Sequence, residues 1–147
     1  MKNNHKSQYE ACVNMRIAEG QIQWERYNAM LVINTIFMGF VGFTFSKEFN
    51  IPNLIKLTLP FLGILLCLLW LQMTQRGFMW VIFWTNKARE IEIFSGDKNS
   101  VRPFADGKKY KESHETTINT RFASYSIIAM FIGLYLLILF QNVRPYL

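Results

Sequence analysis

Charge is what this chain has little of. Only 18% of its 147 residues are Asp, Glu, Lys or Arg, while 51% are hydrophobic and 16% aromatic. A water-soluble domain of this length is usually richer in charge. Histidine is limited to His5 and His114, and cysteine to Cys12 and Cys67. Groups so scattered give no metal-ligand spacing and no Cys–His pair for a thiol nucleophile. Cys12 lies in a polar region and Cys67 inside an apolar block, so no disulfide between them is expected. A nucleophile elbow and a Gly-rich phosphate cradle are also missing. The two histidines lack the Arg-plus-His arrangement of small helical ribonucleases. We therefore expect no enzymatic activity, no cofactor and no metal. No charged residue enters the three longest apolar runs. That argues against an intramembrane proton or ion relay, and so against selective transport by the chain alone. The first 27 residues are polar, so no cleavable signal peptide is expected. Lys2 at the second position excludes N-myristoylation, and the ending RPYL is no prenylation box.

What is present is apolar length. The length predicts one domain, and the composition predicts an all-α polytopic membrane protein with three transmembrane helices plus amphipathic cytoplasmic helices. Ser7 and Glu10 form a capping box. After it Tyr9, Val13, Ile17, Trp24 and Tyr27 recur at helical spacing, giving an amphipathic helix over 8–27 interrupted by Gly20. That helix either packs on the cytoplasmic region or lies on the bilayer with Trp24 at the head groups.

The first transmembrane helix is expected over 29–46. Thr35, Gly39 and Gly42 form a stripe of small residues that lets helix backbones approach. Asn34 lies beside it, and a carboxamide in hydrocarbon needs a partner. Asn34 and Thr35 either fix helix packing or line a polar path through an oligomer. A short turn at Pro52 makes the first two spans an antiparallel hairpin.

The second span is expected over 54–75, with Gly63 and Cys67 on one contact face and Trp70 at its far end as an interfacial or oligomer contact. Pro60 is tolerated in a first helical turn, but would kink a helix begun nearer Asn53. Thr74 to Gly77 then separates this span from an aromatic, charged helix over 78–94. Trp80 and Trp84 share one face of it, either packing on cytoplasmic helices or forming an interfacial belt. A basic loop over 95–117 follows. Its Arg102, Lys108, Lys109 and Lys111 face solvent or lipid, or meet an anionic ligand. The third span is expected over 120–140, with Ala129 and Gly133 on a small-residue face.

The net charge of +6 is read first as topology, then as attraction to anionic lipid, and only last as attraction to nucleic acid, for which no motif exists. Four Lys and Arg precede the first span, two lie in the hairpin loop, nine run from Arg76 to Arg121, and one follows. The positive-inside rule then puts the N-terminus in the cytoplasm and the C-terminus outside.

The segment from Trp70 through Gly77, Trp80 and Trp84 to Glu90-Ile91-Glu92 resembles the RipA-like family of small bacterial inner-membrane proteins. In that family a membrane hairpin is followed by a Gly, two tryptophans four apart, and a charged helix with an acidic end. Here Trp80 and Trp84 match the pair and Glu92 the acidic end. This chain has one residue fewer between Gly77 and Trp80, and no acidic residue directly after Trp84. The resemblance implies a homo-oligomeric ring, octameric in the family. By analogy it implies a pore or membrane-perturbing effector of anti-phage defence or stress, working beside a soluble partner. The alternative is a non-conducting scaffold that recruits a soluble partner. Three thin helices cannot enclose a pathway, so any conduit needs a ring.

Overall fold

The computed structural model describes residues 2–44, 52–94, 102–106 and 120–143. These contain three helices: α1 (Lys2–Phe43), α2 (Asn53–Phe94) and α3 (Thr120–Val143). The expected breaks inside the first two are not breaks. The segment 8–27 and residues 29–43 of the first expected span fall on one helix, α1, which begins five residues before Ser7, continues through Gly20 and ends at Phe43. The segments 54–75 and 78–94 are likewise one helix. Thr74 to Gly77 changes polarity without stopping backbone hydrogen bonding, because a lone internal Gly costs only about 1 kcal/mol.

Among the described residues two helices, α2 and α3, are long and apolar enough to cross a membrane, where the sequence predicts three such spans. The first apolar block falls short because Arg26, Asn28 and Asn34 lie in or beside it and the described helix ends at Phe43. In α2 and α3 only 22% of the apolar window is buried. A soluble core helix would bury most of it. At 1.5 Å per residue α2 is roughly 63 Å long, about twice the hydrocarbon thickness, so only part of it can span.

By packing, the chain divides into two compact units. The first comprises 1–24 and 75–119, the second 25–74 and 120–147. In the second unit α1 and α3 run parallel, with Tyr27 at Ser124 and Phe37 at Tyr135. Helix α2 runs antiparallel to both. Its core is Tyr27, Val41, Cys67, Trp70, Ile128, Phe131 and Tyr135. Trp70 packs against Tyr27 at 5.0 Å and Phe131 at 6.0 Å between ring centroids. In the first unit α1 and α2 are antiparallel, with Tyr9 at Glu92 and Arg16 at Thr85.

Pro60 lies inside α2 and is fully buried. Lacking an N–H, it leaves the carbonyl four residues earlier, that of Lys56, without its helical donor. Asn142 of α3 supplies one: its Nδ2 donates to Lys56 O at 3.3 Å and to Ile138 O at 3.1 Å. A proline in an apolar helix is tolerated where a neighbour re-satisfies the freed carbonyl.

Candidate functional site

Cys67 and Tyr135 of the second unit's core converge on Asn34, which is fully buried. Its Nδ2 donates to Met30 O at 2.9 Å, one turn back on α1. Its Oδ1 accepts from the Cys67 thiol at 3.3 Å. The Asn34 carbonyl also accepts from Tyr135 Oη at 3.4 Å. All three helices thus meet at one residue, and the carboxamide is satisfied inside its own subunit. Gly63 makes room for this meeting. A Cβ there would lie 2.4 Å from Tyr135 Cε1, so α2 carries no side chain where the ring passes.

The small residues therefore divide in two. Gly63 and Cys67 serve contacts within the subunit. Thr35, Gly39, Gly42, Ala129 and Gly133 face outward, and a Cβ added at Gly39, Gly42 or Gly133 would meet nothing within 4 Å. Thr35 turns its hydroxyl back to Leu31 O at 2.8 Å. The four tryptophans divide as well. Trp24 and Trp80 are exposed, at 57% and 47%. Trp70 is instead core. Trp84 is half-buried, stacked edge-on with Phe83 at 5.1 Å. Among the described residues, the indole N–H groups of Trp70 and Trp84 are buried without a hydrogen-bond partner.

In the first unit the centre is Glu92, which is buried. Residues 102–106 form a single helical turn closed by Asp106 N donating to Arg102 O at 2.9 Å. Pro103 stands where a missing N–H costs nothing. The next two amides point at the Glu92 carboxylate. Phe104 N reaches Oε2 at 3.0 Å and Ala105 N reaches it at 2.7 Å. Tyr9 Oη donates to Oε1 at 2.8 Å. An anion at the start of a helical turn is favoured by the same free N–H groups that bind it. Around this centre Arg89 Nε donates to Phe104 O at 3.0 Å, and the Arg16 guanidinium lies 5.4 Å over the Phe104 ring. Burial pushes the Tyr9 hydroxyl up to about 12, helped by its hydrogen bond to Glu92 and by that carboxylate's charge.

This clasp was not visible in sequence beyond Glu92 itself. The one available signal was Pro103-Phe104-Ala105, an apolar triplet with a helix-starting proline inside a basic segment. Arg102 is half-buried beside it. Lys108, Lys109 and Lys111 lie outside the described residues, as do most of the loop 95–117 and the end of the first apolar block. Among the described residues no group of three His, Cys, Asp or Glu could hold a metal ion.

An all-helical chain with two outward-facing apolar helices of membrane length has the architecture of a small integral membrane protein. The chain belongs to the octameric membrane protein family (8xMP), whose model matches residues 6–142. The octameric membrane assembly expected from the resemblance is thereby met at family level, while the RipA-like label is not part of the match. Comparison with curated proteins and with solved structures finds no match.

Proposed function

We propose that this chain is the subunit of an octameric ring in a bacterial inner membrane that opens a pore or otherwise breaches the bilayer, as an effector of anti-phage defence or stress. The family match over residues 6–142 carries the reading. A ring supplies the enclosure that three helices lack. Its RipA-like kinship, its contact with anionic lipid and its soluble partner belong to the same proposal. So does a third span by α1, whose apolar part fits a membrane when its less apolar face is covered by protein. Asn34 is not the conducting group in this reading, because its carboxamide is satisfied within the subunit.

The test is ion flux through liposomes carrying the purified octamer, read with a potential-sensitive dye. Dissipation of a potassium diffusion potential by the protein, and not by empty liposomes, is expected. A tightly sealed membrane with the octamer present overturns the pore.

That outcome would favour a non-conducting scaffold. One observation supports this second reading: the Glu92 clasp holds the turn 102–106 in a fixed pose on the first unit. A fixed turn leading into a basic segment suits recruitment of a soluble, acidic partner.

A further inference from the structure

Of the apolar faces that the second unit leaves uncovered, two carry open grooves at one height. On α1, Ile36, Gly39, Phe40 and Phe43 line an open groove of about 320 Å³. On α3, Leu136, Leu139, Phe140 and Val143 repeat the same helical spacing along a groove of about 410 Å³. Phe40 is 63% exposed and Phe140 65%. Because α1 and α3 are parallel, the pairs Tyr27–Ser124 and Phe37–Tyr135 fix their relative level. An offset of about 98 residues sets the α1 groove beside the upper part of α3, overlapping the α3 groove along the axis.

Rotation about an axis along the helices moves a surface sideways and leaves its height unchanged. A cyclic ring repeats a contact between two different faces, one on each side of the subunit. Those faces must therefore be level, and these two are. The α1 face also carries a notch: among the described residues, nothing lies within 4 Å of a Cβ added at Gly39 or Gly42. In a bilayer, small residues gain stability when a second helix approaches closely.

We infer that the α1 groove at Gly39 is the socket for the α3 face of a second copy of this chain, and that this contact, repeated around the ring, closes the octamer. The inference rests on the ring reading and adds which faces meet. The bulky side chains of Leu136 and Phe140 are the knobs, and Gly39 is the floor of the hole. Residues that pack each subunit internally, Gly63 and Asn34 among them, take no part.

Disulfide trapping in membranes tests it, in a full-length background carrying Cys12→Ser and Cys67→Ser. Gly39→Cys combined with Leu136→Cys should give a ladder of covalent multimers up to eight under a mild oxidant, while each single variant stays monomeric on a denaturing gel. Dimers from Gly39→Cys alone would show that like faces meet, which overturns the inference. So would absence of a ladder while native mass spectrometry shows an intact octamer; the ring reading would then survive. A monomeric parent protein overturns both. As a second measurement, Gly39→Leu should convert octamer to smaller species with unchanged helicity, since among the described residues no neighbouring atom lies within 4 Å of the new Cβ. An octamer indifferent to Gly39→Leu also overturns the inference.

Discussion

Asn142 stands in for the amide that Pro60 lacks. Its Nδ2 lies 3.3 Å from the Lys56 carbonyl, the acceptor a residue other than proline at position 60 would have bonded. A buried acceptor left bare costs about 1–3 kcal/mol. Asn142→Leu should therefore destabilise the helical fold by about that amount, read by circular dichroism during denaturant titration in detergent. Restoring a backbone donor with Pro60→Ala should shrink the cost of Asn142→Leu. Equal costs in the two backgrounds would refute the substitution of one donor for the other.

Gly63 and Gly39 should respond oppositely to the same change. Gly63→Ala drives a Cβ into the Tyr135 ring, and overpacking of this kind costs about 1–3 kcal/mol. Gly39→Ala meets nothing within 4 Å among the described residues and, by replacing an internal helical glycine, should stabilise the monomer by up to about 1 kcal/mol. Thermal melts of both variants, in detergent that holds the protein monomeric, decide the matter.

The membrane character and the helical class were legible because long apolar runs can be counted. Asn34 was legible as a residue needing a partner, since it is a carboxamide in an apolar run. Which partner it found was not, because Cys67 is a poor donor that a sequence reading treats as small and apolar. The continuity of α1 and α2 was also hidden. A stretch such as Thr74 to Gly77 looks like a break, yet polarity alone does not end a helix. Pro60 and Asn142 are joined only by packing between α2 and α3, for which spacing along the chain gives no rule. Glu92 was marked as an acidic helix end, but its role depends on a turn from a segment whose basic charge masked Phe104 and Ala105.

Glu92 should govern exchange of two particular amides. Hydrogen bonds to a carboxylate contribute about 1.5–3 kcal/mol, and each 1.4 kcal/mol is tenfold. Glu92→Ala should speed hydrogen exchange at Phe104 and Ala105 by about 10- to 100-fold, with the α2 amides near Trp70 unaffected. Glu92→Gln, which keeps an acceptor, should fall between. Unchanged exchange at both amides in Glu92→Ala would remove the carboxylate from its role.

Tyr9 makes the same clasp sensitive to alkali. Its hydroxyl is raised from 10.0 to about 12 in the folded chain, by burial first and then by Glu92. The folded form thus holds the proton more tightly than the unfolded form. Its contribution to stability is complete below pH 10 and is lost as the pH climbs through about 12. Chemical stability of the wild type should decline across that window more steeply than that of Tyr9→Phe. The 295 nm absorbance difference between the two should titrate near the upper end. Parallel pH profiles would place Tyr9 outside the clasp.

The number of spans decides where the two ends lie. If only α2 and α3 cross, both ends share one side; if α1 crosses as well, they lie on opposite sides. The Lys and Arg count favours opposite sides, with nine such residues between Arg76 and Arg121 and one after the last apolar run. A charge-based preference acts through segments close to the spans, and this one is concentrated there. Reporter fusions that are active on only one face of the membrane should therefore score the N-terminus as cytoplasmic and the C-terminus as external. Substituted-cysteine labelling gives an independent reading: in a background carrying Cys12→Ser and Cys67→Ser, Gln8→Cys should resist an impermeant maleimide in intact cells, and Gln141→Cys should react. Equal protection at both positions would leave α1 on one side of the bilayer and reduce the spanning part of each subunit to the pair α2 and α3.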